Sequence, residues 1–108
     1  MRKVLSGLPI SPGTVEGRAF VMRTPDDWKK VEEGDIVFVP KSHPRFAIGV
    51  LKAAGLICEE GGRLSHICIV SLEMGIPCIT DVKGALDTAS HLLRVRLDAT
   101  NGVVYDVS

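Results

Sequence analysis

The run Gly61-Gly62-Arg63-Leu64-Ser65-His66 leads straight into the apolar Ile67-Cys68-Ile69-Val70. Two glycines let a backbone bend close to a ligand, and Ser65 is a good helix N-cap, which puts His66 in the first helical turn. The open amides and dipole of such a turn favour an anion. A neutral imidazole there offers a free lone pair and can act as a nucleophile. Once it carried a phosphoryl group, first-turn and glycine-loop N–H groups could hydrogen-bond the oxygens, with Arg63 as a charged partner. On the residues alone the candidate site is His66 as a nucleophile, with Gly61, Gly62, Arg63 and Ser65 placed to hold an anion beside it.

Competing chemistries find less support. Glu59, Glu60 and Glu73 are the nearest further ligands for a metal, and they form no recognised ligand pattern, so no metal site is expected. Ser65 and His66 are adjacent and point apart on a helix, and no GxSxG elbow surrounds them. A histidine beside a glycine turn is often only a cap or a core residue, and the local spacing leaves that alternative open. Glu59 and Glu60 flank the loop rather than serve as acid or base, because a carboxylate beside a phosphoryl would repel it. His43 and His91 read as turn or surface residues, and Arg94 and Arg96 as the solvated face of a strand.

The elements that must hold this loop follow from hydrophobic period and turn chemistry. Residues 15–22 read as a strand entered through Ser11-Pro12-Gly13, and residues 24–31 as a cap and a short helical turn. Residues 36–39 form an apolar strand closed by Pro40. Phe46, Ile48, Val50, Leu51 and Ala54 predict a short helix ended by Gly55, then a buried strand over 56–58. Residues 66–74 are apolar almost all round, which predicts a largely buried helix stopped by Gly75, and 78–80 form another strand. Residues 82–90 stay ambiguous between a turn and a helical turn. Alternation over 93–97 predicts a half-buried strand, and Asn101-Gly102 turns it into an antiparallel return over 103–105. Strands first, strand and helix alternating in the middle, and a hairpin last indicate a mixed α/β domain with helices packed on a sheet.

Composition narrows the function. A chain of 108 residues suits one domain spanning 1–108. Thirteen basic and thirteen acidic residues cancel, which argues against a nucleic-acid or anionic-membrane partner. No stretch is long enough for a membrane span or a signal core, so a cytoplasmic protein is expected. Cys58, Cys68 and Cys78 lie among apolar neighbours without a CxxC pair and read as buried thiols.

The motif and its surroundings resemble a known pattern. Gly61 to His66, then Ile69-Val70, then Glu73-Met74-Gly75-Ile76-Pro77 are similar to the signature of the phosphohistidine swivelling domain of PEP-utilising enzymes, such as pyruvate phosphate dikinase, phosphoenolpyruvate synthase and enzyme I of the sugar phosphotransferase system. Residues 7–13 with Gly17 resemble that family's opening, and 98–105 its closing hairpin. The resemblance implies a compact swivelling β/β/α domain in which His66 is transiently phosphorylated and shuttles phosphoryl between two sites on partners. These would be a nucleotide-binding, ATP-grasp-like domain and a PEP- or pyruvate-binding domain, with Mg2+ on the partners and no cofactor bound here. The chain would then be a phosphotransferase component rather than a complete enzyme. Leu64 stands where the family usually has threonine, and Leu72 where it has arginine. The alternatives are a non-catalytic binding or assembly module that keeps the fold and, more distantly, the small subunit of a dehydratase-type enzyme.

Overall fold

Ile36-Val37-Phe38-Val39 is apolar at every position, as a strand covered on both faces must be. In the computed structural model, which describes residues 1–108, it lies in the fourth of eight strands. These are β1 (Arg2–Ser6), β2 (Leu8–Ser11), β3 (Thr14–Val21), β4 (Ile36–Lys41), β5 (Gly55–Glu60), β6 (Cys78–Thr80), β7 (Arg94–Asp98) and β8 (Val103–Asp106). Two α-helices, α1 (His66–Met74) and α2 (Ala85–Ala89), and two 3-10 helices, Pro25–Lys30 and Pro44–Lys52, complete the chain.

The strands form one mixed sheet in the order β1-β8-β7-β3-β4-β5-β6-β2. β3, β4, β5 and β6 run parallel to one another, whereas β1, β8 and β7 continue antiparallel on one side and β2 on the other. The two edge strands, β1 and β2, are consecutive in the chain with only Gly7 between them. A flat sheet of this size would set its edges about 34 Å apart, and one residue spans about 3.5 Å. The sheet therefore has to curl back on itself.

Curling sorts the strand residues into two cores. Ile36, Phe38, Ile57, Ile79, Val95, Leu97 and Val104 face inward with Leu86 and Ala89 of α2. Their alternates Val37, Val39, Leu56, Cys58 and Cys78 face outward and are covered by Phe46 and Val50 of the second 3-10 helix and Ile67 and Cys68 of α1. The period of two along β4, β5 and β6 thus fills both layers. At the far edge β1 pairs antiparallel with β8, Arg2 lying opposite Asp106 and Ser6 opposite Val103.

Most predicted elements lie where the pattern put them, and the differences have physical reasons. The helix expected around residues 46–54 is 3-10, Pro44–Lys52, a tighter coil suited to a short crossover between β4 and β5. The ambiguous stretch resolves into α2. The expectation that α1 is largely buried is overturned: Ile67, Cys68 and Ser71 are buried, while Ile69, Leu72 and Met74 are 43%, 51% and 46% exposed. α1 lies on the outside of the sheet, so only one face of it meets the core. Arg96 is an ion-paired residue of the sheet surface, its Nε donating to Glu16 of β3 at 2.8 Å.

Candidate functional site

Three neighbouring parallel strands end side by side, and the residue after each enters one cluster: Ser42 after β4, Gly61 after β5 and Asp81 after β6. The carboxyl ends of parallel strands are where α/β sheets gather ligand-binding loops. The 61–65 loop crosses this edge and delivers the chain into α1.

Each glycine of the pair answers a different demand. A Cβ on Gly61 would lie 2.9 Å from Ser42 Cβ and 3.2 Å from both Cys58 Sγ and Ser65 Oγ, so only a hydrogen fits. Gly62 has open space but a φ of 72°, the left-handed region that glycine enters without penalty. Its N–H donates to Asp81 Oδ1 at 3.1 Å. Asp81 is itself left-handed, with φ 55°, which a short polar side chain tolerates better than a bulky one.

Ser65 takes the N-cap position, with φ −70° and ψ 157°, and its carbonyl accepts from Ile69 N–H at 3.0 Å. Its hydroxyl does not cap the helix as expected. Ser42 Oγ takes that part, accepting from Ile67 N–H at 2.9 Å across the strand edge. Ser42 is in turn tied to β5, its N–H donating to the Glu60 carbonyl at 3.2 Å. Ser65 Oγ is buried without a hydrogen bond, turned inward beside Cys68.

His66 is the first residue of α1 and its side chain is exposed. The amides of His66 and Cys68, on either side of the Ser42-capped Ile67, have no hydrogen-bond partner within the chain. Arg63 is exposed and takes part in none of the chain's four ion pairs. A depression of about 330 Å³ lies beside the loop, with Lys41, His43 and Pro44 on one wall and Glu60, Gly61 and Ser65 on the other. It does not extend to Gly62, Arg63 or His66. The structure thus brings Gly61, Ser65 and the added Ser42 together, and sets His66 and Arg63 out toward solvent.

The nearby carboxylates are largely committed. Glu59 Oε1 accepts from Leu86 N–H at 3.1 Å, which makes it a cap for α2. Asp81 holds Gly62, and Glu60 is exposed. No group of three or more His, Cys, Asp or Glu side chains is arranged to hold a metal ion, and no step is routed through one. Beneath α1 the three thiols are fully buried. Burial pushes the Cys58 thiol up to about 12. Cys68 and Cys78 shift in opposite directions because each is the other's main hydrogen-bond partner: Cys68 is pulled below the ordinary thiol value, and Cys78 is pushed above it, with burial adding to the rise.

Sequence reasoning missed Ser42 and Asp81. Ser42-His43-Pro44 reads locally as a turn, and nothing in it announces a bond to residue 67. Asp81 carries only the faint signal that aspartate tolerates positive φ. His43 is structural, as expected: it caps the second 3-10 helix, its Nδ1 accepting from Arg45 N–H at 3.1 Å.

Comparison with known proteins adds independent findings. Residues 31–102 match the model of the family described as PEP-utilising enzyme, mobile domain. The chain is 39% identical over 102 residues to phosphoenolpyruvate synthase of Pyrococcus furiosus, covering 94% of this chain and 12% of that protein. It is 33% identical over 105 residues to a probable phosphoenolpyruvate synthase of Methanothermobacter thermautotrophicus, covering 97% of this chain and 15% of that protein. It thus spans well under a fifth of the length of these relatives. Among solved structures, aconitase X of Thermococcus kodakaraensis shares the fold with a TM-score of 0.64 at 18% identity, over 96% of this chain and 98% of that one.

Proposed function

The chain belongs to the mobile-domain family of PEP-utilising enzymes, and from that premise we propose that it is a phosphoryl carrier whose His66 is transiently phosphorylated. One observation carries this reading: an exposed imidazole stands on the first turn of α1 between amides with no partner, at His66 and Cys68, while Ser42 holds the turn in place from another strand. The lone pair of a ring nitrogen forms the P–N bond as the P–O bond to the donor breaks. The bonding electrons leave with the donor oxygen, and the other ring nitrogen keeps its proton. The phosphoryl oxygens then accept from the free first-turn amides and from Arg63. Gly61, Gly62 and Ser65 give the loop the close approach that this requires.

In-line transfer needs positioning and charge neutralisation. Partner domains or subunits supply both, one ATP-grasp-like and binding nucleotide, the other binding PEP or pyruvate, with Mg2+ held there. This compact β/β/α unit swivels between them in the cytoplasm. Leu64 is 84% exposed and Leu72 51% exposed, so neither replaces the hydroxyl or guanidinium that the resemblance expects, and Arg63 is left as the basic residue of the motif.

The test is complementation in trans. A phosphoenolpyruvate synthase whose own mobile domain is deleted is mixed with this chain and radiolabelled phosphoenolpyruvate or ATP. The expected result is acid-labile, alkali-stable label on the chain, lost in His66→Asn. Label that survives this substitution, or no label from either donor, overturns the carrier role and favours a binding module.

A further inference from the structure

The row of strand ends continues beyond the His66 cluster. β3 and β4 are also parallel neighbours, and the segments leaving their carboxyl ends enclose a second depression of about 310 Å³. Its charged and titratable lining is Arg23, Lys41, His43 and Arg45, with no carboxylate. In a chain whose basic and acidic residues cancel, this is a concentrated local excess. Arg23, Lys41 and Arg45 are absent from all four ion pairs.

The walls are built rather than loose. Asp27 Oδ2 accepts from the Arg23 and Thr24 N–H groups at 2.9 and 3.1 Å, which fixes the β3 exit. Pro25 and Pro40 stiffen the two sides. Because His43 Nδ1 accepts from Arg45 N–H, the proton of the neutral ring is on Nε2, which is free to donate.

We propose that this trough binds an oligophosphate, a linear chain of two or three phosphates. Guanidinium groups match phosphate oxygens two at a time, and three permanent cations with an imidazole donor suit a multiply charged chain better than a single carboxylate. Phe46, the lining residue with an aromatic ring, is 3% exposed, so no platform is offered to a nucleobase and recognition rests on the phosphates. Lys41 and His43 also line the depression beside Gly61 and Ser65, so the trough leads toward the His66 loop. Binding here goes beyond the carrier role and does not require His66 to be phosphorylated.

An NMR titration of the isotope-labelled chain with pyrophosphate, tripolyphosphate, ATP and oligoglutamate tests this. Expected are saturable shifts at the amides of 22–25 and 41–46, tighter binding of tripolyphosphate than of pyrophosphate, and weakening at high salt. Arg23→Gln and Arg45→Gln should each weaken tripolyphosphate by up to about fivefold, with Lys41→Gln as a substitute should either variant fold poorly, and His66→Asn should have no effect. ATP and tripolyphosphate binding equally support recognition of the phosphate chain alone, and ATP binding more tightly would overturn it in favour of a nucleotide. Shifts that never saturate, shifts confined to 61–69, Arg variants that bind like the parent, or oligoglutamate binding as tightly as tripolyphosphate would each overturn the assignment, the last in favour of an acidic protein surface.

Discussion

Ser42 does for α1 what Ser65 was placed to do. Its hydroxyl accepts from Ile67 N–H while its own amide is tied to Glu60, so the first turn of the helix is anchored to the sheet rather than to its own loop. Ser42→Ala should cost about 1 kcal/mol, the usual worth of a cap, read in chemical denaturation, and should speed hydrogen exchange at the Ile67 amide. Unchanged exchange there would show that the bond contributes nothing. The glycine pair and His66 were legible because a backbone demand and a chemical group leave their marks within six residues. Ser42 was not, because its partner lies 25 residues away and a serine before His-Pro has a sufficient local explanation as a turn residue. The same holds for Glu59, whose carboxylate caps a helix that begins at Ala85.

Among elements, the legible ones were those whose period shows on one sequence alone. The first four residues of β4 and of β5 are apolar and β7 alternates, as their positions in the middle and toward the side of the sheet require. β1 and β2 are edge strands in which a register shift between Lys3 and Leu5 breaks the first and Pro9 sits inside the second, so neither shows a clean period. α1 misled because its composition is uniformly apolar while its setting is one-sided. The thiols of β5 and β6 that face α1 give this layer a pH dependence. Cys58 is raised from 9.0 to about 12 and Cys78 is raised as well. At Cys58 the folded state therefore keeps a proton that the unfolded chain releases, and this contribution to stability is full below pH 9 and falls as pH climbs toward 12, whereas the lowered Cys68 acts in the opposite sense, adding stability as pH rises from about 6 to 9. Thermal melts between pH 8 and 11 should show this decline, and Cys58→Ala should flatten it. A profile as steep in the variant as in the parent would place the titration elsewhere.

The whole molecule depends on the join between its two edge strands. A Cβ on Gly7 would lie 2.4 Å from Val82 Cγ2 and 2.7 Å from the Thr80 carbonyl, and the Gly7 amide donates to the Gly102 carbonyl at 2.9 Å. Gly7→Ala should cost about 2 kcal/mol through overpacking, a fall in Tm of about 10 °C. A variant that melts with the parent would mean that the closure is slack. Nothing local in the sequence announced this curl, because the contact is between turns far apart in the chain. The β1–β8 ladder has a mechanical consequence of its own. Arg2 sits across from Asp106 at the open end of an antiparallel pair, so tension between those two residues loads the rungs one after another and peels the edge like a zip, sparing the strands that carry His66 until the last rung at Ser6 has given way.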